Sequence, residues 1–100
     1  MQIITSARHM DLTPSMKEAV ENRLSHLHSY GLELNKVEVV LNSEHHKHQV
    51  TMVLHGNHVN LDAESEKDDM YEAIHDAVDK LEKQVEKKAG HLIKHRKSEK

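Results

Sequence analysis

The sequence predicts an α+β domain of two layers, in which a four-stranded mixed sheet carries both helices on one face. Two segments have apolar residues at helical spacings of three and four positions. Between them, three consecutive segments have an apolar residue at every second position, which is typical of half-buried strands. The chain has 100 residues and is therefore long enough for one core. Together these observations predict the order β-α-β-β-β-α.

The first strand and the first helix are predicted from residues 2–30. The β-branched stretch 2–7 favours a strand, and Thr13-Pro14 supplies an N-cap followed by proline in the first helical turn. Gly31 suits the left-handed conformation that ends a helix, so the helix is expected over about 14–30. Its apolar residues recur at spacings of four, four and three: Met16, Val20, Leu24 and Leu27.

The three alternating segments predict an antiparallel meander. Residues 43–48 are polar and are expected to form a loop between its first two strands, whereas Gly56-Asn57 favours a tight hairpin before the third. A right-handed crossover from the first strand would place it parallel to its neighbour. The opposite face of the sheet is expected to be polar and exposed to water. The alternating apolar sets are Val37, Val39 and Leu41, then Val50, Met52 and Leu54, then Val59, Leu61 and Ala63.

The second helix is predicted to be long and to have two differently charged flanks. Asp69 and Glu72 resemble a capping box, after which an apolar stripe continues over nearly seven turns to Leu92. Four lysines fall within about 60° of one another around the helix axis, and three carboxylates lie on the other polar flank. The lysines are Lys80, Lys83, Lys87 and Lys94, and the carboxylates are Asp79, Glu82 and Glu86.

Two interpretations of these lysines remain open. Either they form a binding surface, or Asp76 with Lys80 and Asp79 with Lys83 form ordinary i,i+4 pairs on a solvated helix. Residues 1–79 carry 6 Lys and Arg against 14 Asp and Glu, a net charge of −8, whereas residues 80–100 carry 8 against 3, a net charge of +5. This segregation favours a local anionic partner, with phosphates as its natural chemistry.

Several classes of protein are disfavoured by what the sequence lacks. There is no cysteine, and the longest apolar runs are three residues, so no membrane span or signal peptide is expected and a cytoplasmic location is predicted. No Gly-Xaa-Ser-Xaa-Gly elbow or phosphate loop is present, so we do not expect an enzyme. Tyr30 and Tyr71 lie near helix ends rather than on strands, which argues against an aromatic platform for single-stranded RNA.

The 11 histidines raise the question of a metal site. His91 and His95 are one helical turn apart, and three further histidines crowd residues 45–48. None of these groups reproduces the ligand spacing of a known metalloenzyme, so neither a metal nor any other cofactor is expected.

The chain resembles the short bacterial ribosome hibernation promoting factors, relatives of ribosome-associated inhibitor A, over almost its full length. The resemblance implies a fold like that of double-stranded-RNA-binding domains. It also implies a protein that binds the small ribosomal subunit at the mRNA and tRNA channel, silences translation and promotes inactive ribosome dimers in stationary phase. The matching residues are Ile4-Thr5-Ser6, Leu12-Thr13-Pro14, Arg23-Leu24, Val39-Val40-Leu41, Asp69-Met70-Tyr71, Ala73-Ile74, Lys80-Leu81, Gln84 and Lys87.

Site residues and partners are carried over from the same resemblance. The residues expected to contact 16S rRNA are Arg8, Arg23, Lys80, Lys83, Lys87, Lys88 and His91. Where relatives often carry lysine on the first helix, this sequence has His26, which motivates the hypothesis that mild acidification tightens binding. Reversing the charge of Lys80 and Lys87 together is expected to weaken binding at least tenfold while leaving the fold intact.

The resemblance also implies a domain organisation and a partner. Residues 1–95 are expected to form one ribosome-binding domain, and residues 96–100 a basic tail. There is no room for the dimerisation domain of the long factors, so cooperation with ribosome modulation factor is implied. The alternative function is a regulatory protein-binding module, a sigma-factor modulator, with the acidic part of the chain as its contact surface.

Overall fold

The computed structural model describes residues 1–98, with the backbone alone for His28 and residues 91–98. The predicted order of elements is confirmed. The strands are β1 (Gln2–Arg8), β2 (Leu34–Glu44), β3 (Lys47–Gly56) and β4 (Val59–Lys67), and the helices are α1 (Pro14–Leu24) and α2 (Met70–Ser98), with a 3₁₀ helix at Ser25–Tyr30 between α1 and β2.

The four strands form one mixed sheet in the order β1-β2-β3-β4. β1 is parallel to β2, and β2, β3 and β4 are successively antiparallel, as the sequence predicts. One face of the sheet packs against both helices in a single apolar core. The other face bears mostly polar residues, including the acidic outward row of β4, Asp62, Glu64 and Glu66.

The first helix is shorter than predicted. Thr13 caps it, since its Oγ1 accepts a hydrogen bond from the Met16 amide at 3.2 Å and Pro14 occupies the first turn. The α-helix ends at Leu24 and tightens into the 3₁₀ helix, which still buries Leu27. Gly31 then takes the left-handed conformation predicted for it, with φ +82°.

The polar segment 43–48 is not a loop, and this expectation was wrong. β2 continues to Glu44 and β3 starts at Lys47, so only His45 and His46 form the turn. The polar residues on either side of the turn are paired in the two strands, Ser43 with His48 and Glu44 with Lys47. The next pair, Asn42 and Gln49, lies on the polar face of the sheet, where side chains bond across strands. Asn42 Nδ2 donates to Gln49 Oε1, and Gln49 Nε2 donates to Glu66 Oε1, each at 2.8 Å. The polar residues of this segment therefore belong to the paired ends of two strands and not to a loop.

The His45-His46 turn provides a stability prediction. Both residues have positive φ, 50° and 62°, which is the geometry of a type I′ hairpin turn and favours Asn-Gly. We expect the double substitution His45→Asn, His46→Gly to stabilise the fold by about 1 kcal/mol, because left-handed backbone strains residues with a Cβ. Urea denaturation measures this gain, and a matched His45→Ala, His46→Ala variant should be less stable than wild type. Equal stability of the two double variants would contradict the prediction.

The tight hairpin predicted between β3 and β4 is present, but its turn is one residue further along than Gly56-Asn57. The turn consists of Asn57 and His58, and the left-handed residue is His58, with φ 62°, rather than Gly56. Gly56 is instead the last residue of β3 and pairs with Leu34 at the start of β2. A Cβ at this position would overlap the carbonyl oxygen of Glu33. The Asn57 amide and side chain both donate to Glu33, at 2.9 Å each, and hold this close approach of the two strand ends in place.

Helix α2 begins at the predicted cap. The Glu72 amide donates to Asp69 Oδ2 at 3.0 Å, and the Ala73 amide donates to the Asp69 carbonyl oxygen at 3.0 Å. The apolar stripe is buried as far as Ala89. The helix continues to Ser98, so the predicted tail at residues 96–100 falls partly in its last turn and partly outside the described residues.

Candidate nucleic-acid interface

One flank of α2 lies along the outer edge of β4, which is an edge strand of the sheet. The Lys80 ammonium donates to the backbone oxygen of Glu64 at 3.0 Å, and Gln84 Nε2 donates to the backbone oxygen of Asp62 at 2.6 Å. Along α2, four residues advance about 6 Å, and along β4, two residues advance about 6.6 Å. Because these distances are similar, side chains one turn apart on α2 can bond to every second carbonyl of β4. Lys80 and Gln84 thus occupy backbone acceptors that would otherwise be open to another strand.

Lys80 has a second intramolecular partner. Its ammonium lies 3.1 Å from Asp76 Oδ2, which also accepts a hydrogen bond from the buried Ser65 hydroxyl at 2.8 Å. The Ser65 hydrogen bond, followed by that of Lys80, lowers the pKa of the Asp76 carboxyl. For Lys80, the interpretation as an ordinary i,i+4 pair is therefore correct, although its side chain remains 53% exposed.

Asp76 makes the stability of the fold depend on pH. Because its pKa is lower in the folded chain than its ordinary value near 3.8, ionised Asp76 stabilises the fold above about pH 4. This contribution is lost as the pH falls through the folded pKa. We expect Asp76→Asn to be less stable than wild type at pH 7 and the gap to close at the acid end of a pH series of urea denaturations. The exposed Glu18→Gln is the control, and a gap that stays constant from pH 7 to pH 2 would contradict the assignment.

Lys83 and Lys87 differ from Lys80. Both are exposed, and within residues 1–90 neither ammonium forms an ion pair. The sequence suggested Asp79 as the partner of Lys83, but Asp79 Oδ2 lies 3.1 Å from His75 Nε2 instead. The pairing interpretation is therefore wrong for Lys83, and these two lysines keep their charges available to an external anion.

Lys88 borders a groove next to these lysines. It is half-buried, and together with Leu61, Gln84 and Lys87 it lines an open groove of about 390 Å³ between β4 and α2. The groove therefore has a cationic wall and an apolar floor from Leu61. His91 follows in the helix, and its side chain lies outside the described residues.

The opposite flank of α2 faces the 3₁₀ helix and is acidic. The His26 ring Nε2 contacts Glu82 Oε2, which gives this histidine an intramolecular carboxylate partner. Partial burial, followed by the negative charges of Glu82 and Glu86, raises the pKa of Tyr30. Glu82 therefore competes with an rRNA phosphate for the His26 ring, which argues against the hypothesis of a phosphate contact at this position.

The two predicted arginines are separated from the lysine flank. Arg8 is exposed at the end of β1, three strands and therefore about 14 Å across the sheet from β4. Arg23, near the end of α1, lines an open depression with Tyr71 and His75 from the first turns of α2. Of the residues predicted to bind rRNA, the described structure brings together Lys80, Lys83, Lys87 and Lys88 and leaves both arginines outside this group.

Within residues 1–90, where side chains are described, no three His, Asp or Glu residues are grouped so that they could hold a metal ion. None of the helices in the described range combines the length and apolar character needed to cross a membrane.

Sequence reasoning missed two features of this region. From the sequence, Gln84 is only one of the residues that carry the family resemblance. Its bond to the edge of β4 could not be predicted, because the spacing of residues along a helix does not show which side chain will reach a strand. The exposure of Tyr71, 46%, was also missed, since the apolar stripe of α2 runs beside it. A helical projection places Tyr71 at the margin of the apolar stripe, and this position could have indicated that its ring is exposed.

Comparisons with known proteins agree with the fold. The structure is similar to the crystal structure of the N-terminal domain of Thermus thermophilus Protein Y, with a TM-score of 0.79 and 30% identity, over 87% of this chain and 98% of that one. It also shares its fold with a ribosomal subunit interface protein from Coxiella burnetii, with a TM-score of 0.78 and 23% identity, over 90% and 99% of the two chains. No curated protein matched in the sequence comparison.

These features define a ribosome-associated protein with the fold of the hibernation factors. Residues 3–92 match the family described as sigma 54 modulation protein / S30EA ribosomal protein, and the chain belongs to that family. The family resemblance predicted from the sequence is therefore confirmed.

Proposed function

We propose that this protein is a cytoplasmic ribosome hibernation factor that binds the small ribosomal subunit at the mRNA and tRNA channel and blocks translation in stationary phase. It would act by occupying this channel and not by catalysis. The observation that carries the proposal, beyond family membership, is the exposed pair Lys83 and Lys87, which lack an intramolecular partner within the described residues. Two such ammonium groups one turn apart suit consecutive phosphates of 16S rRNA.

The remaining contacts of the proposed interface fall into two groups. Lys88 and His91 extend the cationic row along α2, and Lys80 contributes its exposed charge while it seals β4. Arg8 and Arg23 would reach separate parts of the rRNA, since they lie at other positions on the surface. The acidic row of β4 would repel phosphates, so this part of the sheet face is expected to point away from rRNA.

Cosedimentation with vacant small and large subunits tests this proposal. At low and moderate salt, and with double-stranded RNA as competitor, we expect saturable one-to-one binding to the small subunit alone, weakening steeply with salt. Equal binding to both subunits would contradict the proposal, and so would complete displacement of the protein from the small subunit by double-stranded RNA. Either result would mean that α2 binds RNA non-specifically through its charge.

Promotion of inactive ribosome dimers is a further part of the proposal. We expect the protein to form them together with ribosome modulation factor, as the resemblance to the short factors implies. Sucrose-gradient profiles with each protein alone and with both test this step. Efficient pairing by this protein alone would contradict the assignment to the short type.

The competing function is modulation of a sigma factor, which the family description also names. The acidic row on β4 offers a surface for a basic protein partner. Affinity capture from lysate with and without RNase separates the two functions. Loss of small-subunit proteins after RNase favours the rRNA contact, whereas a sigma factor retained after RNase favours the alternative.

A further inference from the structure

Tyr71 is an exposed aromatic side chain that the core does not use. It is 46% exposed, although it lies in the first turn of a helix whose apolar stripe is otherwise buried from Met70 to Ala89. Its ring lines an open depression of about 490 Å³ together with Arg23 from α1 and Lys67 from the end of β4. An exposed aromatic ring beside two cations is the arrangement on which proteins stack unpaired nucleobases.

The carboxylates of this depression are not equivalent. Asp69 already accepts the Glu72 amide, and Asp76 already accepts Ser65 and Lys80. Glu72 lines the same depression, is exposed, and its carboxylate forms no hydrogen bond or ion pair within residues 1–90. A free carboxylate disfavours a phosphate at this point but accepts hydrogen bonds from the amino and imino groups of a base edge.

We propose that Tyr71 stacks an unpaired guanine of rRNA, with Glu72 accepting hydrogen bonds from the N1 and N2 groups of the base and Arg23 contacting the adjacent phosphate. Guanine fits because it offers two donors on one edge, matching the two oxygens of a carboxylate. The position of Tyr71 on a helix suits a single extruded base, as opposed to the row of bases that a strand platform would hold. This site extends the proposed rRNA interface and rests on the proposed function for its biological ligand.

The first test is small-subunit binding by substitutions of Tyr71. We expect Tyr71→Ala to weaken binding at least fivefold and Tyr71→Phe to stay within twofold of wild type, because stacking needs the ring and not the hydroxyl. The salt dependence of Tyr71→Ala should equal that of wild type, since no charge is removed. The control is Ile4→Ala, which shortens another exposed apolar side chain, 42% exposed, on the sheet. Wild-type affinity of Tyr71→Ala would overturn the site.

The second test does not require the ribosome. The chain has two tyrosines and no Phe or Trp, so histidines are the only other source of aromatic ring signals in the NMR spectrum. Comparison with Tyr71→Phe identifies the Tyr71 ring signals, and those of Tyr30 are the internal control. Guanosine 5′-monophosphate should shift the Tyr71 ring signals upfield more than uridine 5′-monophosphate does, and Glu72→Gln should reduce this preference. Equal effects of both nucleotides on Tyr30 and Tyr71 would overturn the assignment even if wild type binds the subunit. If wild type fails to bind the subunit, the proposed function is wrong and this titration still decides the stacking site.

Discussion

The double variant Lys83→Glu, Lys87→Glu is expected to bind the small ribosomal subunit at least about 100-fold more weakly than wild type. A hydrogen bond to a charged group contributes about 1.5–3 kcal/mol, and each 1.4 kcal/mol corresponds to a tenfold change in affinity. Losing two phosphate contacts therefore accounts for about 100-fold, and the two new negative charges add repulsion. Affinity measured over a series of salt concentrations checks this. The slope of the logarithm of affinity against the logarithm of salt concentration should become shallower by the amount that corresponds to about two phosphate contacts.

The chain offers a matched control for this experiment. Lys17 is an exposed lysine on α1 without an ion pair among residues 1–90, so Lys17→Glu changes the net charge as much as either single reversal on α2. We expect Lys17→Glu to stay within twofold of wild type, and Lys83→Glu and Lys87→Glu to lose about tenfold each. Similar losses in all three single variants would indicate a non-specific effect of net charge and would contradict a defined lysine surface.

Lys80 is a poorer choice for charge reversal than the sequence suggested. Lys80→Glu would place a second carboxylate beside Asp76 and would leave the Glu64 carbonyl without its donor. This variant is therefore expected to lose stability as well as charge, so its binding defect could not be attributed to rRNA alone. The helical projection correctly places Lys80 on the same flank of α2 as Lys83 and Lys87. It could not predict that Lys80 also lies against the edge of β4.

The sequence predicts the fold well where a residue pattern has one physical cause. Apolar alternation in β2, β3 and β4, the cap at Thr13 and the left-handed Gly31 all follow from local chemistry, and each is confirmed. Errors arise where one pattern has two causes. Polar residues at 43–48 are typical both of loops and of strand ends near water, and only the strand register, which pairs Ser43 with His48 and Glu44 with Lys47, distinguishes them.

The candidate site is predictable only in part for a similar reason. Charge segregation along α2 predicts a cationic flank, and its angular position is visible in the sequence. Which lysines are already paired depends on contacts between residues distant in the chain, such as Lys80 with Glu64 and His26 with Glu82. No periodicity within α2 encodes these contacts. Only the tertiary structure distinguishes Lys80, which is bonded to β4, from Lys83 and Lys87, which form no ion pair among residues 1–90.

The second large effect is expected at Gly56, where Gly56→Ala should destabilise the fold by about 2 kcal/mol or more. The added Cβ would overlap the Glu33 carbonyl oxygen, and it would also approach the Leu34 backbone at 3.3 Å. Backbone cannot rotate away as a side chain can, so the end of β3 and the start of β2 must separate. For a domain of this size the melting temperature should fall by roughly 10 °C, which thermal denaturation followed by circular dichroism measures.

Gly90→Ala is the matched control, because the substitution is the same and the surroundings differ. Gly90 lies within α2, and a Cβ there meets no atom within 4 Å among the residues whose side chains are described. Alanine is favoured over glycine inside a helix by up to about 1 kcal/mol, so this variant should melt at or above the wild-type temperature. Opposite signs for the two variants would establish that Gly56 is required by the close approach of the Glu33 backbone to the end of β3. If both variants were neutral, the Glu33 and Gly56 backbones would not be closely packed, and the Asn57 hydrogen bonds to Glu33 would have to hold the two strand ends together.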